Sequence, residues 1–177
     1  VGRLCNLACK HCHVEAGPDR TEIMDKPVME ACLSVLRDNA FETLDITGGS
    51  PEMNPHFRWF LTEASKVCTH IIVRTNLVIL LESGYEDLPQ FFHDHGVEVV
   101  CSLPHYTQKN TDHMRGDKVF SRSIQSLRKL NAFGYGLRAN LPPRLVSNPA
   151  GAFLPAAQAA LDRDFRARPN PHQALEC

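Results

Sequence analysis

A chain of 177 residues with 43% hydrophobic content is long enough to bury one sizeable core without disulfide staples. Its 19 basic and 20 acidic residues leave a formal net charge of −1, which excludes a general electrostatic attraction for nucleic acid or an anionic membrane. The longest apolar neighbourhood, HIIVRTNLVILL, is interrupted by Arg74, Thr75 and Asn76 and falls short of the roughly 20 apolar residues that a spanning helix needs.

The first predicted element is a helix near 26–39, with Asp25 as its cap, Pro27 in its first turn and Val28, Cys32, Val35 and Leu36 as its apolar stripe. TLDIT (43–47) reads as a buried strand. Asn54 and Pro55 open a second helix whose inward residues are Phe57, Phe60, Leu61, Ala64 and Cys68. A second strand, HIIVRT (70–75), leads to a helix from about Tyr85 to His95 with Leu88, Phe91 and Phe92 inward, ended by Gly96 in a left-handed position. The third strand is VEVVCSL (97–103), and a helix over 118–133 carries Phe120, Ile124, Leu127 and Leu130 and stops at Gly134. Beyond Gly136 the pattern weakens. LRANLPPRLVSNPAGAFLP allows, counting VGRL as the remnant of a first, a fifth strand broken by Pro142 and Pro143, and AAQAALDRDF a fifth helix, before a tail of turn and breaker composition.

Strands and helices alternate with no hairpin turn between strands, which calls for an α/β class with a parallel sheet covered by helices. Sites in such folds lie at the carboxyl ends of strands. Here those ends are TGGSPE, RTNL and SLPHY.

Seven cysteines is an odd number; three are clustered, and Cys32, Cys68, Cys101 and Cys177 are scattered, which fits reduced thiols in a cytoplasm better than an extracellular disulfide framework. No secretory signal is visible, and a chain that starts at Val1 rather than a methionine reads as a fragment. Cys5, Cys9 and Cys12, in the spacing CxxxCxxC, share nine residues with His11 and His13. Thiolates bind zinc or iron–sulfur clusters. Three local thiolates on a four-iron cluster leave one iron open for another ligand. Zinc held by three sulfurs and a histidine nitrogen is the alternative, although the adjacent ligands Cys12 and His13 would strain the chelate.

CxxxCxxC followed by TGGSPE one unit later resembles the signature of the radical S-adenosylmethionine (SAM) enzymes. VGRLCNLACKHCHVEAGPDRTEIM, LDITGGSPEMNPHFRWF, VEVVCSLPHY, MRGDKVFSRSI and NPAGAFLP together resemble, over about residues 1–165, the arsenosugar biosynthesis radical SAM proteins, also described as radical SAM/Cys-rich domain proteins. The resemblance implies an incomplete parallel (β/α) barrel, truncated: a partial core over 1–165, an irregular tail over 166–177 and none of the family's C-terminal Cys-rich region. It makes Cys5, Cys9 and Cys12 the ligands of a 4Fe-4S cluster whose open iron is chelated by SAM. His11 falls where relatives often have an aromatic residue whose backbone meets the SAM adenine. Gly48, Gly49 and Ser50 would line the methionyl end, their missing or small side chains permitting close approach. Asn76 and Ser102 become candidates for the ribose or carboxylate, and Arg115 for bidentate pairing with the carboxylate. The plainer rivals are a turn residue, a strand-end hydroxyl and a surface charge.

Glu52 follows the glycines only after Ser50 and Pro51, whereas many relatives have Glu directly after them. His105 stands where a cysteine is common in the family, with a surface loop as its plainer reading. His13, Glu15 and Arg20 either order the cluster loop or reach substrate, and Trp59 is a packing residue. The implied function is reductive cleavage of SAM to methionine and a 5′-deoxyadenosyl radical, joined to a methylated trivalent arsenic species. Its partners would be that small molecule and a reducing electron donor such as a flavodoxin or ferredoxin. The alternatives are a radical SAM enzyme that modifies a peptide or cofactor, and a non-enzymatic zinc-binding module.

Overall fold

The structure is a computed structural model that describes residues 1–137, 144–147 and 157–167. Helix α1 (Lys26–Asp38) is capped as its sequence predicts, with Asp25 Oδ1 accepting from the Val28 N–H at 3.0 Å. Its buried face, however, is Met29, Leu33 and Leu36, while Val28 and Val35 are exposed. Two sets one residue apart both have helical period, and the bulkier Met and Leu set removes more apolar surface from water.

Strand β1 (Thr43–Ile46) leads through a 3-10 turn at Pro51–Met53 to α2 (Phe57–Ala64). The expected stripe is buried, Cys68 included. The helix starts later than Pro55 because Asn54 Oδ1 accepts from the His56 N–H at 2.8 Å and its Nδ2 donates to Val1 O and Met24 O, which fastens the chain's first residue to this turn. Strand β2 (His70–Thr75), α3 (Leu88–Asp94) and β3 (Glu98–Ser102) follow. Gly96 has the left-handed φ of +61° expected of it.

Helix α4 (Gln108–Arg115) lies in a stretch for which the sequence predicts no element: QKNTDHMR is too polar to show a stripe. Helix α5 (Val119–Ala132) matches expectation, with Phe120, Ile124, Leu127 and Leu130 buried. The weak C-terminal pattern yields β4 (Arg144–Val146) and α6 (Gln158–Ala167). The Pro142–Pro143 break, NPAGAFLP and residues 168–177 of the tail lie outside the described residues.

All strand pairs are parallel, and the spatial order β1-β2-β3-β4 follows the chain. A sheet that never reverses its strand order is a stretch of barrel wall rather than a doubly wound sheet. On one face Ile46, Val73, Val99 and Cys101 join the helices in the core. The strands are not buried on both faces as expected. On the other face Arg74 donates to Asp45 at 2.7 and 2.9 Å, and Glu98 pairs with His70 at 2.8 Å and with Arg144 at 2.7 Å, so polar side chains satisfy one another across strands.

Residues 1–4 form no regular strand. They run along 47–50, past the end of β1: the Gly49 N–H donates to Gly2 O and the Ser50 N–H to Leu4 O, both at 2.9 Å. A Cβ on Gly49 would stand 2.4 Å from Leu4 O, and one on Gly48 2.7 Å from Gly2 O. The two glycines thus make room for the chain's own backbone, which delivers Cys5 to the carboxyl edge of the sheet.

Candidate functional site

The predicted site residues gather at that edge, in two groups. Cys5 is buried. Its Sγ lies 3.4 Å from Ser50 Oγ, receives the Leu7 N–H at 3.5 Å and is 3.6 Å from Asn76 Nδ2. Asn6 completes this group, its Oδ1 accepting from Asn76 Nδ2 at 2.6 Å and from Ser50 Oγ at 2.9 Å. Sequence reasoning left Asn6 unassigned, although its place inside the cysteine motif was a signal.

The second group surrounds Cys9 and Cys12, both half-buried. The loop that carries them is held by the Lys10 N–H donating to Met114 O at 3.0 Å and by the Ala16 N–H donating to Cys12 Sγ at 3.3 Å. Burial pushes the Cys9 thiol above its usual range, while the adjacent Arg115 guanidinium pulls it back. His11 lies near the same guanidinium. Burial first, and then that charge, hold its imidazole below the ordinary histidine range, and its Nδ1 is buried without a hydrogen-bond partner.

Arg115 is no surface charge: it is 3% exposed. One terminal nitrogen donates to Ser102 O and the other to Asn76 O at 3.0 Å, so a single guanidinium joins the ends of β2 and β3 beside Cys9. Both terminal nitrogens are therefore engaged, and the buried Nε has no partner. Ser102 is half-buried at the end of β3.

Glu52 stands apart. It is 5% exposed, and neither carboxylate oxygen has a partner in hydrogen-bonding geometry. Burial pushes its carboxyl up to about 7, against the smaller lowering by the nearby Thr75 hydroxyl and its own N–H. Thr75 is fully buried and carries its side chain on the same strand face as Val73, so Glu52 sits next to the helix-side core.

His105 is built into a helix start. Its Nδ1 accepts from the Thr107 N–H at 3.0 Å, at the head of α4, and its ring lies 4.2 Å from that of Tyr106. Trp59 packs beneath Lys26, whose ammonium is 4.7 Å from the ring centroid.

The donor set decides what could be held. Among the described residues no three His, Cys, Asp or Glu side chains stand close enough together to hold a single metal ion. Three free thiols spread along one loop suit a larger cluster with several irons. The unpartnered Arg115 Nε beside them can take a carboxylate. These residues fit a cluster and an amino-acid-bearing cofactor.

Comparison with known proteins agrees. The sequence model of the Radical SAM superfamily matches residues 1–141. The antilisterial bacteriocin subtilosin biosynthesis protein AlbA of Bacillus subtilis (strain 168) is 26% identical over 135 residues, which is 76% of this chain and 30% of AlbA. Streptococcus suis SuiB bound to S-adenosylmethionine superposes with a TM-score of 0.60 at 19% identity, over 75% of this chain and 30% of SuiB. SuiB bound to its precursor peptide SuiA gives 0.58 at 20% identity, over 75% and 29%. At these identities the two SuiB structures bear on the fold alone.

Proposed function

This chain belongs to the Radical SAM superfamily, and on that premise we propose that it is the SAM-cleaving core of an enzyme whose cluster is held by Cys5, Cys9 and Cys12. The superfamily's cofactors are a 4Fe-4S cluster and SAM. Bound together and reduced, they supply homolytic cleavage of SAM to methionine and a 5′-deoxyadenosyl radical. The observation that supports the reading is the placement of a buried Cys5 and of the Cys9–Cys12 loop at one strand-end rim beside the buried Arg115.

Each residue of the rim has a task in that reading. Arg115 Nε takes the SAM carboxylate, its terminal nitrogens being engaged by carbonyls. Ser102 lies at the same strand end for the ribose or carboxylate, and the backbone of His11 faces the adenine. Gly48, Gly49 and Ser50 border the methionyl end, while Asn76 shares the rim and Glu52 supports it from the core. Residues 1–165 form the partial core. A one-electron donor of the flavodoxin or ferredoxin class and a reducing, cytoplasmic compartment suit an oxygen-sensitive cluster and free thiols.

For the substrate, the motif set favours joining the adenosyl radical to a methylated trivalent arsenic species. Modification of a peptide is the second reading, favoured by the similarity to AlbA, a bacteriocin biosynthesis protein. The chain spans 30% of AlbA's length, so these readings concern the whole enzyme of which this core is the matched part. The test is anaerobic reconstitution followed by incubation with reductant, SAM and dimethylarsenite. An adenosine–arsenic adduct is expected. Free 5′-deoxyadenosine without adduct overturns the arsenic reading, and no SAM cleavage at all overturns the enzymatic one.

A further inference from the structure

The amide of Asn76 has only one orientation open to it. Its Oδ1 accepts from the Ile79 N–H at 3.0 Å, so Nδ2 faces the opposite way, toward the cysteine loop. There it meets three acceptors: Asn6 Oδ1 at 2.6 Å, Ser50 Oγ at 2.7 Å and Cys5 Sγ at 3.6 Å. Asn6 is oriented in the same way, since its Nδ2 donates to Glu82 Oε1 at 3.4 Å, and that carboxylate is held by Arg122 at 2.8 Å. Ser50 donates to Asn6 and touches Cys5.

The backbone that aims Asn76 is strained. Leu77 is a buried non-glycine residue at φ 68° and ψ −48°, a conformation that residues with a side chain rarely adopt. It persists because its N–H donates to Thr75 Oγ1 at 3.2 Å, Ser126 Oγ donates to its carbonyl at 2.7 Å, and Arg115 holds the Asn76 carbonyl. A turn fastened from three elements to point one amide at Asn6, Ser50 and the Cys5 sulfur is a built arrangement.

The number of hydrogens gives it a purpose. Asn76 Nδ2 has two hydrogens for three acceptors, and Ser50 has one for two. A neutral Cys5 thiol can add a fourth hydrogen by donating to Ser50, which still leaves one of the five contacts unfilled. A metal-bound Cys5 is a thiolate, which donates nothing and draws a hydrogen from Asn76 or Ser50. Hydrogen bonds to cluster sulfurs withdraw negative charge and favour the more negative, reduced cluster.

We propose that Asn6, Ser50 and Asn76 form a positioning layer around Cys5 that stabilises its thiolate and raises the reduction potential of the cluster it ligates. This rests on the reading of Cys5 as a cluster ligand. The experiment is an anaerobic redox titration, followed by electron paramagnetic resonance, of the reconstituted chain and its Ser50→Ala and Asn76→Ala variants, with iron and sulfide measured in each. Both variants keep parental iron and sulfide, and both titrate at more negative potential. Asn76→Ala shifts by at least a factor of ten in the reduction equilibrium, about 59 mV for a one-electron couple. Asn76→Ala also removes the acceptor of the Ile79 N–H, so Ser50→Ala is the deciding variant. Full cluster content with a parental midpoint in Ser50→Ala overturns the proposal. A parental chain that takes up no cluster overturns the proposed function, and this inference with it.

Discussion

Cys5 and the Cys9–Cys12 stretch belong to one motif but are held by opposite means. Cys5 is buried, at the end of a backbone run hydrogen-bonded to the glycines after β1, and touches side chains from two other strand ends. Cys9 and Cys12 ride a half-exposed loop fastened by a few backbone bonds and one arginine. The tertiary fold thus fixes one sulfur and leaves two on a looser loop; under the proposed ligation, that division would spare the fold the cost of packing three thiolates together in advance of a cluster.

The sharpest way to break this comparison is to remove the sulfurs singly. Cys5→Ala, Cys9→Ala and Cys12→Ala should each abolish the brown colour and iron content of the reconstituted protein. In the metal-free chain only Cys5→Ala should lower the melting temperature, by an amount corresponding to about 1 kcal/mol of lost burial, as thermal unfolding would show. Equal melting temperatures for all three would remove the distinction between preset and adaptable ligands.

The next largest effect falls on the run that delivers Cys5. Gly49→Ala places a Cβ 2.4 Å from a backbone oxygen that cannot rotate away. We expect a loss on the order of 3 kcal/mol in denaturant unfolding, together with weaker cluster retention. Gly84→Ala makes a matched control, because nothing lies within 4 Å of its Cβ position, although its φ of +87° adds a smaller strain.

Glu52 gives a pH-dependent version of the same test. Its carboxyl is raised in the folded chain to about 7 from an ordinary 4.5, so its contribution to stability is fully present below pH 4.5 and is lost as pH rises through 7. Glu52→Gln removes that loss. Relative to the variant, the parent should weaken between about pH 5 and 8 by up to about 3 kcal/mol, read from urea midpoints at successive pH values. Parallel curves would mean that the buried carboxyl does not ionise in this window. The smallest effect is expected on α1, where Val35→Lys should change stability by no more than about 0.5 kcal/mol, since Val35 is exposed.

Much of this architecture was legible from the sequence because it rests on local signals. The Asp25 cap, the stripe from Phe57 to Cys68 and the Gly96 stop each need only a few neighbouring residues to be read, and the alternation of elements gave the parallel sheet. What escaped depends on partners distant in sequence. Helix α4 has no apolar stripe, so only its contacts define it. The charged strand face is stable because Asp45 meets Arg74 and Glu98 meets both His70 and Arg144 across the sheet. At the rim, the three cysteines were visible as a spaced motif, Ser50 and Asn76 as strand-end residues, and Arg115 through the family resemblance. Their division of labour was not, since Arg115 reads as a surface charge until Ser102 O and Asn76 O are seen to claim its terminal nitrogens. The glycine pair likewise reads as space for a ligand, whereas its nearest neighbour is the chain's own beginning.

That neighbour ties two distant stretches of the sequence together. Cys5 reaches its place only once residues 1–4 lie along residues 47–50, a closure between the very start of the chain and a point past its first strand. If Cys5 ligates the proposed cluster, metal retention reports on the contact between residues 1–4 and 47–50, and any change that opens that contact weakens the cluster as well.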